Sequence, residues 1–252
     1  MFIKQLKNDL LFSRDAFFGM GALLLGVALI IRIADANFDI IESIPFLEVM
    51  IFLILGVSIT TVVFASIYQL FTFYRRNFFG NSGYLMLTLP VSRGVQLASK
   101  LIVSLIWINF MLLVGIAMVW IITFNVGTPE QEFVVVSFAS YGARLAFELI
   151  IAFVVMNLFF LLIMATTYLG ITLANSTIGR WRIHGIAAGI VSILYLVLTF
   201  VAMYGVVRLF TSAGITVIGT LEAVLNFGTL GVFATGAIAA TYYLLKNRVD
   251  LR

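Results

Sequence analysis

Three carboxylates have the clearest potential for chemistry in this sequence, because each falls at or inside the end of a long apolar run: Glu48, Glu148 and Glu222. A charged side chain deep in lipid is costly, so these carboxylates are expected to face protein or water. Arg144 precedes Glu148 by four residues, a spacing that lets the two charges neutralise each other on one helix face. The pattern predicts either a polar vestibule at the outer membrane surface or interfacial anchors that only fix the depth of the helices.

Two amide side chains, Asn109 and Asn157, lie deeper inside apolar runs than the carboxylates do. A polar side chain at that depth is expected to line a polar path or to hydrogen-bond with a neighbouring helix. Both amides are therefore candidates for the same substrate path, with a purely interhelical hydrogen bond as the alternative.

Catalytic and cofactor motifs are missing from the sequence. It contains no phosphate-binding G-x-x-x-x-G-K-[ST] loop, no G-x-G-x-x-G, no zinc-protease H-E-x-x-H and no G-x-S-x-G. The chain has no cysteine, and His184 is its only histidine, so no thiolate or His-based metal cluster can form. We expect no catalytic residue, metal site or cofactor in this polypeptide.

The composition predicts the environment of these residues. Hydrophobic residues make up 63% and charged residues 10% of the 252 positions, whereas a soluble domain is apolar over roughly half of its residues. The sequence therefore predicts an all-helical integral membrane protein that forms a single transmembrane domain over residues 1–252. Its apolar runs predict six spans, at residues 16–33, 46–73, 101–124, 148–173, 186–207 and 223–245.

Three flanking segments have predicted structures of their own. Met1–Asp15 carries apolar residues at helical spacing among basic ones, which is typical of an amphipathic helix lying on the membrane interface. Phe133–Phe147 is predicted to be an interfacial helix that bends into the fourth span, or the first part of one over-long helix. Arg208–Glu222 is too apolar for a flexible loop and is expected to form short re-entrant or interfacial pieces.

The distribution of positive charge predicts the orientation. Of 15 Lys and Arg residues, all but Arg32, Arg144 and Arg208 fall on one side of the six-span arrangement. Because basic residues concentrate on the cytoplasmic side, both termini are predicted to be cytoplasmic. The same distribution accounts for the net charge of +4 without a nucleic-acid partner.

Small residues recur at every fourth position in the last two spans, at Gly185 and Gly189 and at Gly231, Thr235 and Ala239. This spacing allows helices to approach closely. It predicts close helix packing within one subunit, with a contact between two subunits as the alternative.

The stretch Phe78–Leu101, between the second and third spans, mixes polar and apolar residues. Asn81 and Ser82 are good N-cap residues, so a short helix is predicted to begin there, and Pro90 disfavours helical geometry at the residue before it. Pro90 also suits the first position of a second helix, which leads into the third span. The segment 78–100 is therefore predicted to be a bent knob at the membrane surface, carrying the charged residues Arg93 and Lys100.

Within this stretch, GYLMLTLPVSRGVQLASKL closely resembles the signature of the six-span permease subunits of type-two ATP-binding-cassette (ABC) exporters. In that family the segment between the second and third spans is a cytoplasmic coupling helix that sits on the ATPase subunit. Family members often carry an acidic residue just before the Gly-Tyr-Leu, where this chain has Asn81 and Ser82. The resemblance places the ATPase contact on Asn81, Ser82, Tyr84, Leu85, Leu87, Pro90 and Arg93.

The resemblance implies a permease subunit of the bacterial cytoplasmic membrane that dimerises with an identical or a different permease subunit. Two copies of a separate ABC ATPase would bind ATP and Mg and supply the hydrolysis. Antimicrobial or cytolytic peptides are frequent cargo among such relatives, so export of an apolar or amphipathic peptide is the expected function. The alternatives are the same architecture exporting a lipid, a drug or an ion, and a membrane sensor or scaffold that does not transport.

Overall fold

The computed structural model describes residues 2–37, 45–79, 91–123, 129–177, 184–212 and 220–247. These residues form six helices, which are α1 (Phe2–Asn37), α2 (Pro45–Phe79), α3 (Arg93–Thr123), α4 (Pro129–Thr177), α5 (His184–Ser212) and α6 (Thr220–Asn247). Each helix contains a stretch of 24 to 32 residues that is long and apolar enough to cross a membrane, where roughly 20 residues are needed. The prediction of an all-helical chain with six potential spans is confirmed.

The first helix is longer than the predicted first span. α1 runs without a break from Phe2 to Asn37, so no turn separates the predicted interfacial helix from the span. Ser13, near the end of the predicted interfacial segment, is buried, and its Oγ accepts a 2.7 Å hydrogen bond from Nε1 of Trp107. Phe17 stacks on the same indole with 4.8 Å between ring centres. This part of α1 therefore packs on α3.

The fourth helix is also continuous. α4 runs over 49 residues from Pro129 to Thr177, so the predicted bend between Phe133–Phe147 and the fourth span is wrong and the alternative of one over-long helix is correct. Pro129 stands at the first position, where its missing N–H is not needed. Gly142 does not end the helix, because a single glycine within a helix lowers its stability by only about 1 kcal/mol relative to alanine.

The third helix begins later than predicted. Its first residue is Arg93, three positions after Pro90, and Ser92 caps it, because Oγ of Ser92 accepts a 3.4 Å hydrogen bond from the amide of Val95. A serine oxygen satisfies one of the free amides of a first helical turn, which proline cannot do. The predicted start at Pro90 is therefore wrong. Residues 80–90 lie outside the described part of the chain, as does the short helix predicted within them.

The chain divides into two compact units. The first comprises Met1–Lys7, Phe71–Leu105 and Ile151–Arg252, and the second comprises Asn8–Leu70 and Ile106–Ile150. The second unit has a core from α1, α2 and α3, formed by Leu24, Ala28, Val62, Val114 and Met118. The first unit has a core in which α4 and α6 meet, formed by Leu162, Ala165, Leu169, Leu230, Ala234 and Ala237.

Close helix contacts in the first unit do not occur at the predicted small residues. A Cβ added at Gly231, Gly185 or Gly189 would have no neighbouring atom within 4 Å. One added at Gly170 would lie 2.5 Å from the carbonyl oxygen of Ala188, so α4 and α5 are in close contact there. At these three glycines the prediction of close packing within the subunit is therefore wrong, and the alternative, a contact between two subunits, stays a prediction.

The spans expose many large apolar side chains. Phe64 of α2 is 68% exposed, Leu113 of α3 is 63% exposed and Val232 of α6 is 69% exposed. Such surfaces are unusual on a soluble protein, because exposing large apolar side chains to water is unfavourable. In a lipid environment this free-energy cost is absent. The exposed side chains agree with a multi-pass membrane protein.

Candidate functional site

The residues predicted to contact an ATPase are mostly outside the described part of the chain. This applies to Asn81, Ser82, Tyr84, Leu85, Leu87 and Pro90. Arg93 is described, and its Nη1 donates a hydrogen bond to the backbone carbonyl of Leu245 near the end of α6. Arg93 therefore joins the first residue of α3 to the last turn of α6, a contact that the sequence did not predict.

The predicted vestibule residues are not brought together by any described contact. Glu48, Arg144 and Glu148 lie in helices, but their side chains are outside the description. Glu222 is exposed in the first turn of α6. The vestibule and its alternative, interfacial anchoring, both stay predictions.

The two deeper amides are half-buried. Asn109 lies in α3 of the second unit and Asn157 in α4 of the first unit. Nδ2 of Asn157 donates a 2.9 Å hydrogen bond to the carbonyl of Phe153, which lies in the same helix rather than in a neighbour. This bond satisfies one amide proton without help from another span.

A buried cluster of polar and aromatic side chains occupies the part of the first unit that borders the predicted coupling segment. Tyr74, five residues before the end of α2 at Phe79, is buried. Its ring stacks on that of Tyr168 of α4, with ring centres 3.9 Å apart and planes 9° apart. Phe78 packs against Tyr74 at 4.9 Å between centres. The end of α2 is thereby fixed to α4.

Two chains of hydrogen bonds run through this cluster. Oγ1 of Thr172 donates to the carbonyl of Tyr168 at 2.7 Å, so the 2.9 Å bond between the hydroxyls of Tyr74 and Thr172 must use the proton of Tyr74. Oγ of Ser104 donates to the carbonyl of Lys100 at 2.8 Å. The bond between the hydroxyls of Ser104 and Tyr168 therefore uses the tyrosine proton. Every hydroxyl proton of the cluster has an acceptor.

Lys100 is completely buried beside these hydroxyls. Its Nζ lies 4.6 Å from the centre of the Phe73 ring, a cation–π contact that is worth up to about 2 kcal/mol when water is excluded. Neighbouring helices cover the side chain of Lys100, so Lys100 is not exposed as the predicted knob implied, and its depth at a membrane surface stays a prediction. Ionisable residues within spans are rare and mark functional sites by default.

The contacts of this cluster join three helices. Its hydroxyls are engaged in hydrogen bonds with neighbouring hydroxyl or carbonyl oxygens. Within the described ranges, no group of three or more His, Cys, Asp or Glu residues could hold a metal ion. What the cluster does is to join the end of α2 and the beginning of α3 to α4.

No prediction from the sequence included Tyr168, Thr172 or Ser104. A signal was present, because Tyr168 and Thr172 are spaced four residues apart within an apolar run, as are Lys100 and Ser104. Four-residue spacing places two polar side chains on one helix face, and a polar face inside a span must meet another polar group.

Comparison of the chain with protein-family models, with curated proteins and with solved structures finds no match.

Proposed function

We propose that this chain is the membrane-spanning subunit of an ABC exporter that moves an apolar or amphipathic peptide out of a bacterial cell. The resemblance of GYLMLTLPVSRGVQLASKL to a coupling-helix signature gives the assignment. The observation that carries it further is the anchoring of both helix ends that border this segment. Tyr74 on one side and Ser104 on the other are both bonded to α4.

This anchoring would allow the segment to transmit force from a bound ATPase to the membrane helices. When a bound ATPase moves the segment, its displacement reaches α2 and α3, and the buried stack and hydrogen bonds pass the displacement to α4. A segment joined to loosely packed helix ends would absorb the same movement locally. Close-packed interiors transmit strain because they do not deform freely.

In this proposal the polypeptide contributes binding and movement, while hydrolysis takes place on the partner. Two ATPase subunits hold ATP and Mg, and a second permease subunit, identical or different, completes the membrane domain. Tyr84 and Leu87 are the expected anchors on the ATPase, because interface energy concentrates in a few large side chains.

Copurification tests this assignment. The tagged chain is extracted from its own bacterial membranes in a mild detergent, and retained ATPase and ATP turnover are measured for wild type, Tyr84→Ala and Leu87→Ala. A hot-spot residue contributes about 2 kcal/mol or more, which corresponds to a roughly 30-fold loss of affinity. The matched control is Leu113→Ala, since Leu113 is 63% exposed within α3.

The proposal requires an ATPase to copurify with wild type and Leu113→Ala and to be lost from Tyr84→Ala and Leu87→Ala. Equal retention by all four proteins would exclude a contact at these anchors. Absence of any ATPase from the wild-type preparation would favour a membrane sensor or scaffold.

A further inference from the structure

A groove of about 360 Å³ lies between α3, α4 and α6 in the first unit. Its apolar wall includes Leu97, Leu101, Leu105, Leu161, Ile238 and Tyr242. The floor residues Leu97 and Leu101 are buried, whereas Ile102 and Tyr242 at the rim are 37% and 39% exposed. The groove is therefore open to whatever surrounds the spans.

The dimensions of the groove fit a lipid tail. It follows α3 from Leu97 to Leu105, which is about 12 Å of helix at 1.5 Å per residue. Half of the hydrocarbon core of a bilayer is roughly 15 Å thick. The lining residues of the groove all belong to candidate spans, which are Arg93–Ile122, Leu149–Ser176 and Val224–Asn247, so acyl chains are the expected surroundings of the groove.

Two basic residues occur near one end of the groove, at the beginning of α3 and in the last turn of α6. Arg93 immediately precedes Gly94, which lines the groove, and its guanidinium contacts the carbonyl of Leu245. Lys246 follows Leu245 in the chain and is exposed. Arg93 thus stands next to the groove residue Gly94, and Lys246 is the neighbour in the chain of the residue that Arg93 contacts.

We propose that this groove binds one anionic phospholipid, with an acyl chain along Leu97, Leu101 and Leu105 and the phosphate at Arg93 and Lys246. Guanidinium and ammonium groups form charge-assisted hydrogen bonds with phosphate oxygens. Basic pockets between spans on the cytoplasmic side of a membrane select anionic headgroups in this way. The site is independent of the transport proposal, because it needs neither an ATPase nor a cargo.

Lipid retention by the full-length chain tests the site. The purified protein is equilibrated with mixed micelles containing equal amounts of phosphatidylglycerol and phosphatidylcholine, and retained lipids are counted by native mass spectrometry. Ile102→Trp fills the groove from its rim. Ile106→Trp is the matched control, because Ile106 is 41% exposed one turn further along α3 and does not line the groove.

A second pair of variants tests the headgroup. Lys246→Gln removes one cation of the site, and Lys7→Gln removes an exposed lysine elsewhere in the chain. One surface cation is worth about 1 kcal/mol towards anionic lipid, so Lys246→Gln should lower the preference for phosphatidylglycerol roughly 5-fold. Lys7→Gln should leave that preference unchanged.

The proposal predicts one strongly retained phosphatidylglycerol in wild type, Ile106→Trp and Lys7→Gln, and its loss in Ile102→Trp. Equal retention by the two tryptophan variants would place the lipid elsewhere. Retention of both lipids without preference would show that Arg93 and Lys246 do not select an anionic headgroup. A retained second copy of the chain in place of lipid would show that the groove is a subunit interface. Each of these three results overturns the proposal.

Discussion

Replacing Tyr168 should separate the contribution of its hydroxyl from that of its ring. Tyr168→Phe removes the bond to Ser104, whose own proton still reaches the carbonyl of Lys100, so the free energy of unfolding should fall by only about 0.6–1.5 kcal/mol. Tyr168→Ala also removes the stack on Tyr74, worth about 0.5–1.5 kcal/mol, and leaves a cavity. Large-to-small aromatic changes of this kind cost about 3–5 kcal/mol in total.

Titration with dodecyl sulfate in mixed micelles, followed by circular dichroism, measures these differences. Tyr204 provides the control, because it is 61% exposed and its hydroxyl accepts a 2.6 Å bond from Nε of Arg208 at the surface. Tyr204→Phe and Tyr204→Ala should each change the free energy of unfolding by about 0.5 kcal/mol or less. If Tyr168→Ala costs no more than Tyr204→Ala, the buried stack does not stabilise the fold, and the proposed link from α2 to α4 fails.

Three further predictions use the same protein. Lys100→Ala should lower the free energy of unfolding by about 2 kcal/mol. Lys100→Met should lower it by less, because methionine keeps the packing on the Phe73 ring. Equal losses for the two variants in the dodecyl sulfate titration would contradict this prediction. Gly170→Ala should cost about 1–3 kcal/mol in that titration, because the new Cβ meets a backbone carbonyl, whereas Gly189→Ala enters open space and should stabilise α5 slightly. Cysteines placed at Ser82 and Thr128 should react with an impermeant maleimide from opposite sides of the membrane, and labelling from one side would refute the predicted topology.

The six spans could be predicted because lipid leaves few choices. Every backbone polar group in hydrocarbon must be bonded within its own segment, so a long apolar run specifies a helix. The helix ends were less predictable, since they depend on which residue caps the free amides. At α3 the sequence predicted Pro90 as the first residue, whereas the structure shows that Ser92 caps the helix and determines its start.

The buried cluster could not be assembled from the sequence. Spacing showed that Lys100 and Ser104 share one helix face, as do Tyr168 and Thr172. It did not show that these two faces meet, because the bonded hydroxyls of Ser104 and Tyr168 are 64 residues apart in the chain. The same limit explains the wrong prediction at Gly231, where a four-residue repeat marks a face but does not say which neighbour covers it.

Site-specific cross-linking in living cells tests whether the segment preceding α3 docks onto an ATPase. A photoreactive amino acid is placed at Leu87, with Leu113 as the lipid-facing control, and captured partners are identified by mass spectrometry. We expect position 87, but not position 113, to capture a protein carrying the G-x-x-x-x-G-K-[ST] loop of an ATPase. Capture of no such protein at position 87, or equal capture at both positions, would show that this segment does not dock onto an ATPase.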